Sequence, residues 1–236
     1  MSTHTREEIA ALAAALEGQP PEAILAAVTR RVAGPIRLAN SFGAEDCVLV
    51  DVIARARLPV GIFTIDTGYL FPETYALWKR LEARYGLAIE AARPEGTAVA
   101  PEDAPPWRTD PDACCQVRKV VPLRSALAGL DAWVTGIRRD QTPDRANAQV
   151  VEWDGRFGLV KVNPLAAWTS DQVWDHVRRH EVPTNPLHER GYLSIGCAPC
   201  TTAVKPGEDP RAGRWRGREK TECGLHVDHF AKRSSP

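Results

Sequence analysis

Apolar residues recur at helical spacing over Arg6 to Leu16 and again over Glu22 to Val32, the second run introduced by Pro20-Pro21. The pattern then changes to short, dense apolar stretches. Pro35 to Ala39 and Val60 to Ile65 read as strands, separated by a helical run from Ala44 to Ala56. Phe71 to Tyr85 reads as a helix with Pro72 in its first turn, where a missing N–H costs nothing. Leu87 to Ala91 and Ala132 to Thr135 supply a third and a fourth strand, the fourth preceded by a helix from Cys114 to Leu127. Val150 to Val162 holds Asp154-Gly155 between β-rich runs and reads as a hairpin. Thr169, with Ser170 and Asp171, opens a last helix that reaches about His180. The expected fold is α/β, an open parallel sheet with helices on both faces.

No repeat or linker interrupts this pattern. The chain reads as a single domain, with N-terminal helices over 1–34, a core over 35–203 and an irregular, mobile C-terminal tail over 204–236. That tail loses periodicity and gains Gly, Pro, Arg and Lys. Arg93 to Pro111, with five prolines, reads as a long loop or short-helix insertion.

Composition narrows the function. The 236 residues suffice for a substantial core. Lys plus Arg and Asp plus Glu stand at 30 each, so no global field points to nucleic acid or an anionic membrane. The longest apolar runs fall far short of a bilayer span, and the acidic first helix does not resemble a signal peptide. A cytoplasmic setting is expected, in which six cysteines are ligands or catalysts rather than disulfide partners.

Five of those cysteines sit in three places: Cys114-Cys115, Cys197-Ala198-Pro199-Cys200, and Cys223. A C-x-x-C pair brings two thiolates to one metal centre, and a second pair completes four sulfur ligands. Adjacent cysteines strain a single tetrahedral zinc but reach separate iron corners of an iron–sulfur cube. On spacing alone, structural zinc and unliganded thiols stay open as alternatives. Cys223 follows a segment, Arg211 to Lys220, with five basic residues and one acid. Positive charge nearby lowers a thiol pKa and prepares a nucleophile. Cys47, in the apolar run Cys47 to Val50, reads as a small core residue.

Several elements suit an anion. Ser41-Phe42-Gly43 lies where the first strand meets a helix, and Asp66-Thr67-Gly68 ends the second strand at the same sheet edge. Lys119 lies about one helical turn beyond the cysteine pair. Arg138 and Arg139 follow the fourth strand. Together these favour a dense anion such as a phosphosulfate. His176 and His180 are four apart on a helix without a metal motif and read as surface or packing residues; His188 reads as a brace for the loop before Cys197.

The motifs SFGAED at Ser41, IDTGYLFPET from Ile65, CCQVRKVVPL from Cys114 and VTGIRRDQ from Val134 resemble the assimilatory adenylyl-sulfate reductases. So do VNPLAAW from Val162, NPLHERGYLSIGCAPCT from Asn185, GRW at Gly213 and ECGLH at Glu222. The matches run in the family's order from about residue 38 to 226. Two departures stand out: the first loop is a residue shorter than the SFSGAED form, and Trp215 to Glu222 is shorter than the usual tryptophan-rich run.

The resemblance implies a sheet of the adenine-nucleotide α-hydrolase type, a [4Fe–4S] cluster on Cys114, Cys115, Cys197 and Cys200, and Cys223 as nucleophile. It places Ser41, Phe42, Gly43, Asp66, Thr67 and Gly68 at the nucleotide, and Lys119, Arg138, Arg139, Arg211 and Arg214 around the phosphate and sulfate. The implied reaction reduces adenosine 5′-phosphosulfate to sulfite and AMP through an S-sulfocysteine, in sulfate assimilation and cysteine biosynthesis. Thioredoxin or a glutaredoxin-like dithiol is the implied reductant. The rival substrate is 3′-phosphoadenylyl sulfate, although relatives using only that compound usually lack the four cluster cysteines. A more distant rival, an ATP-dependent tRNA sulfurtransferase, grips ATP with an SGGxDS loop that Ser41 to Asp46 does not match. Sequence leaves a homo-oligomer open.

Overall fold

The structure is a computed structural model and describes residues 5–95 and 105–218, with residues 220, 223 and 225. Two N-terminal helices, α1 (Arg6–Leu16) and α2 (Pro21–Arg31), lead into strand β1 (Ile36–Ala39). Thr5 starts α1 with a reciprocal cap: its hydroxyl accepts from the Glu8 N–H, and the Glu8 carboxylate accepts from the Thr5 N–H. Ile9, Leu12, Ala13 and Leu16 fall on one face of that helix and are buried. Next come α3 (Ala44–Arg55), β2 (Gly61–Ile65), α4 (Pro72–Tyr85) and β3 (Glu90–Ala92).

The chain continues through α5 (Pro106–Thr109), α6 (Pro111–Cys115), a π-helical turn at Gln116–Val120, and α7 (Val121–Leu127). Strand β4 (Ala132–Val134), the hairpin β5 (Val151–Asp154) and β6 (Leu159–Val162), and α8 (Ser170–His180) follow. Six strands form one sheet in the order β3-β2-β1-β4-β6-β5. β1 pairs in parallel with β2 and β4, and β4 with β6, while β5 runs antiparallel as the expected hairpin. The open, mostly parallel sheet agrees with the α/β expectation.

Three elements differ from the sequence pattern. The third strand begins at Glu90, not Leu87. Glu82 explains the delay: its carbonyl accepts from the Gly86 and Leu87 N–H groups, and its carboxylate accepts from Ile89 N–H. Those residues close the helix end instead of pairing. The helix from Cys114 is not uniform, because Val121 N–H donates to the Gln116 carbonyl five residues back. Pro122 follows with no N–H of its own, which removes the ordinary four-residue return at that step. Finally, the described part of the tail is irregular but anchored: Thr201 and Arg214 form an antiparallel bridge, and Thr202 N–H donates to the Gly213 carbonyl.

The chain groups into two compact units that interleave in sequence. The first comprises Met1–Thr64, Leu77–Glu90 and Leu127–Thr184; the second comprises Ile65–Ala76, Ala91–Ala126 and Asn185–Pro236. The large apolar core belongs to the first, where Leu25, Leu38, Leu49, Leu81 and Leu165 are fully enclosed. Cys47 is fully buried within it, a core residue as expected, and burial pushes its thiol pKa well up.

Candidate functional site

Cys114, Cys115, Cys197 and Cys200 line one small cavity in the second unit, together with Tyr69, Trp107, Pro111, Arg118, Lys119 and Trp215. The sequence builds this locally. Asp110 caps α6 by accepting from the Asp112 and Ala113 N–H groups at 3.1 and 2.9 Å, which fixes the short helix ending in the cysteine pair. The other pair sits on a 3-10 turn, Ala198–Cys200. Ala198 N–H donates to the Tyr69 carbonyl at 2.7 Å, and Leu70 bridges Cys197. Thr67 Oγ1 lies 3.3 Å from Cys197 Sγ.

Two buried cations flank the thiols. Arg118, which sequence reasoning missed, donates to the Thr67 carbonyl at 3.0 Å and lies over the Tyr69 ring. Lys119 is the other. Burial opposes its charge, but the thiolates of Cys197, Cys223 and Cys115 outweigh that cost and raise its pKa, with Arg214 working against them. Burial likewise raises the thiols, with Cys115 pushed up to about 11 and Cys114 and Cys200 also raised, in part by repulsion from Cys197. Cys114, Cys115 and Cys200 therefore resist ionising together. A metal centre bound there would supply the positive charge that turns such thiols into thiolates, and its binding would release protons.

Among the described residues, the cavity lining contains no imidazole or carboxylate. Four thiols alone are the donor set of an iron–sulfur cube and equally of an all-cysteine zinc site, so the residues fit a thiolate-ligated metal centre. Among the described residues, no three His, Cys, Asp or Glu side chains converge closely enough to hold a single ion.

Cys223 is 9% exposed and packs with Cys115 and Trp215, with Cys200 and Leu225 at the margin. Its neighbours Glu222, Gly224 and His226 lie outside the described residues. The basic segment before it has partners of its own, while Lys220 works against the raised pKa of Cys115, and Arg214 and Arg218 against that of Cys200. Arg216 pairs with Glu208 at 2.8 Å, Arg218 donates to the Arg108 carbonyl, and Lys220 pairs with Asp112. Arg211 donates to Ser194 Oγ at 3.4 Å, and Arg214 to Ser194 Oγ and the Ile195 carbonyl while stacking on Trp215. The Cys223 thiolate also stabilises the charge on Lys119.

Asp66, Thr67 and Gly68 also belong to the second unit. Asp66 accepts from Tyr75 Oη at 2.7 Å, Arg93 Nε at 3.1 Å and Gly68 N–H at 3.1 Å. Burial and that carboxylate push the Tyr75 phenol up to about 12. Gly68 takes φ +75°, which only glycine adopts freely. His188 braces its own turn, as expected, through Nδ1 and the Tyr192 carbonyl 2.9 Å apart.

Ser41, Phe42, Gly43, Arg138 and Arg139 lie in the first unit. Asn40 Oδ1 accepts from Phe42 N–H at 2.7 Å, holding Phe42 at φ +63°. The Phe42 ring is 1% exposed and packs 5.6 Å from Trp78, so its side chain serves the core. Asp46 accepts from both the N–H and the hydroxyl of Ser41 at 2.6 Å. Arg138 and Arg139 are both ion-paired, to Glu45 with Asp140 and to Glu17 respectively. His176 is more than surface: its Nε2 lies 2.8 Å from the buried Asp51 carboxylate, which also accepts from Tyr85 Oη.

Burial raises Asp46 to about 6, more than its bonds to Ser41 lower it. The folded state thus holds a proton that the unfolded state releases near pH 4. This contribution to stability is full below pH 4 and is lost as pH rises through about 6. Between pH 5 and pH 7 the loss amounts to about 1 kcal/mol. Urea unfolding should show this slope in the native chain and not in Asp46→Asn; equal slopes in both would refute it.

The phosphoadenosine phosphosulfate reductase domain model matches residues 35–203. Adenosine 5′-phosphosulfate reductase of Allochromatium vinosum is 50% identical over 210 residues, covering 84% of this chain and 81% of that protein. Phosphoadenosine 5′-phosphosulfate reductase of Gloeobacter violaceus is 46% identical over 223 residues, 92% of each. The crystal structure of phosphoadenylyl-sulfate reductase from Candida auris, a phosphate complex, superposes with a TM-score of 0.76 at 28% identity, covering 86% of this chain and 98% of that one. With that domain model spanning most of the chain and relatives this similar along nearly their whole length, the chain belongs to the phosphoadenosine phosphosulfate reductase domain family.

Proposed function

We propose that this chain reduces adenosine 5′-phosphosulfate to sulfite and AMP. The observation that carries the reading is the single cavity lined by all four paired cysteines, with Lys119 inside it and Cys223 packed on Cys115. Cys114, Cys115, Cys197 and Cys200 would hold a [4Fe–4S] cluster, which when bound supplies the charge that keeps its thiolate ligands ionised and shapes the field near the sulfate.

The remaining chemistry belongs to side chains. The Cys223 thiolate attacks the sulfuryl sulfur, forming an S–S bond while the S–O bond to phosphate breaks and AMP leaves with that electron pair. Lys119 neutralises charge on the sulfate oxygens. Arg211 and Arg214, in the same unit as Lys119, are proposed to serve the sulfate and phosphate, and Asp66 to Gly68 the nucleoside. In the first unit, Ser41 to Gly43 are proposed to line the nucleotide, with Arg138 offering a guanidinium. A dithiol protein, thioredoxin or a glutaredoxin-like one, then attacks Cys223 sulfur. Sulfite leaves with the S–S electron pair, and the partner's second thiol resolves the mixed disulfide. Two electrons pass from dithiol to sulfur. This chemistry suits a reducing cytoplasm, and no helix among the described residues is long and apolar enough to cross a membrane.

The test is mass spectrometry of iron-loaded protein given the nucleotide and no reductant. An added sulfonate is expected on Cys223; its absence there defeats the nucleophile assignment. Metal analysis of anaerobically purified protein should find four iron atoms per chain, and stoichiometric zinc would refute the cluster. The Gloeobacter relative's name favours a second reading, reduction of 3′-phosphoadenylyl sulfate. Comparing sulfite release from both nucleotides decides between them.

A further inference from the structure

The loop after β4 carries two adjacent arginines in unlike surroundings. Arg139 uses every guanidinium nitrogen: Nε donates to the Ala148 carbonyl at 2.8 Å, and Nη1 and Nη2 to Glu17 at 2.7 and 2.8 Å. It ties the end of α1 to this loop. Arg138 is 7% exposed and donates from Nε to Glu45 Oε1 at 3.0 Å and from Nη1 to Asp140. Among the described residues no protein atom pairs with its Nη2.

The two carboxylates on Arg138 are also unlike. Asp140 has a side chain 48% exposed, where water screens the pair and competes for it. Glu45 sits in the first turn of α3 and is mostly enclosed. Its Oε1 accepts a second bond, from Gln141 Nε2 at 3.0 Å. Gln141 Oε1 in turn accepts from the Arg138 N–H at 3.0 Å and from Arg145 Nη1 at 2.6 Å. Glu45 and Gln141 therefore grip Arg138 at its backbone and at Nε. Gly136 permits this closeness: a Cβ there would collide with Asp46 Oδ1 and stand 3.0 Å from Glu45 Cβ.

We infer that Glu45 is a positioning residue that holds Arg138 by Nε and presents its Nη2 edge to an oxyanion of the nucleotide substrate, a contact in which Arg139 takes no part. The inference rests on the reductase reading. A long cation fixed in advance loses less conformational freedom on binding, and a planar guanidinium held at Nε and Nη1 keeps Nη2 for a phosphate or sulfate oxygen. Removing Glu45 should therefore weaken binding through Arg138 and through nothing else.

The test is a double-mutant cycle on the iron-loaded full chain, with Glu45→Ala, Arg138→Ala and both together, and Glu45→Gln as the milder change. Glu45→Ala should raise KM for adenosine 5′-phosphosulfate about tenfold with kcat within about twofold, as expected for a lost charge-assisted contact. Glu45→Gln, which keeps an acceptor for Nε, should lie between it and the native chain. In the Arg138→Ala background, removing Glu45 should change KM no further. An undiminished effect of Glu45 in that background, or an unchanged KM in both Glu45 variants, overturns the inference. If Glu45→Ala loses iron or melts early, the same cycle run with Glu45→Gln decides. A native chain that releases no sulfite from either nucleotide defeats the reductase reading instead.

Discussion

Replacing Cys223 with serine is expected to cut sulfite release by at least about a thousandfold while iron content and the visible spectrum stay at native values. The reason is the nucleophile's own chemistry. A serine hydroxyl hardly ionises near neutral pH, and the segment around residue 223 offers no described base to activate it. An O-sulfonate, if formed, would also give a dithiol no S–S bond to attack, so the second half-reaction would fail as well. The proposed metal ligands are untouched, because the four cavity-lining cysteines are others. Single-turnover assays would separate the halves: AMP release without reductant should vanish along with sulfite. AMP released at the native rate from the serine variant would remove Cys223 from the mechanism.

The same residue constrains the second step. A thiol 9% exposed against Trp215 and Cys115 presents no sulfur to a protein dithiol. Sulfite release by such a partner requires the Cys223 segment to leave that packing after sulfur transfer. Attack by a small thiol is less demanding, since a small molecule needs less clearance.

The parts of the site that could be read in the sequence are those whose chemistry is local. Cys114-Cys115 and Cys197 to Cys200 declare paired sulfur ligands within a few residues, and the structure puts both pairs around one cavity. The strand ends at Ser41 and Asp66 follow from short apolar runs meeting turn residues. Partners distant in sequence left no such trace. Arg138 and Arg139 look alike as a dipeptide, yet one finds Glu45 and the other Glu17, 93 and 122 residues away. The partners of the basic run before Cys223 left no trace either: Arg216 pairs with Glu208, Arg218 donates to the Arg108 carbonyl and Lys220 pairs with Asp112. Phe42 is part of a loop motif by sequence and part of the core by its ring. The π turn was legible only in hindsight through Pro122, whose missing donor forces a longer return.

That turn bears on the second large effect. Lys119 sits in the π segment, four residues after Cys115 and five after Cys114, and is buried with Arg118 beside it. Its pKa is raised despite burial, so it stays charged throughout the working pH range; its stabilising contribution is present below its ordinary value and fades only above the raised one. Replacing it with methionine, of similar length and no charge, removes the cation among Cys197, Cys223 and Cys115. The expected result is a fall in kcat/KM of about a hundred- to a thousandfold, the scale for losing one preorganised charge aimed at a developing anion. Lys119 is not a ligand, so iron content should stay near native. The loss should also be flat from pH 6 to pH 9, because the native lysine does not titrate there. If Lys119→Met kept native kcat/KM, or lost activity only in proportion to lost iron, Lys119 would be a packing residue and the sulfate would need another cation.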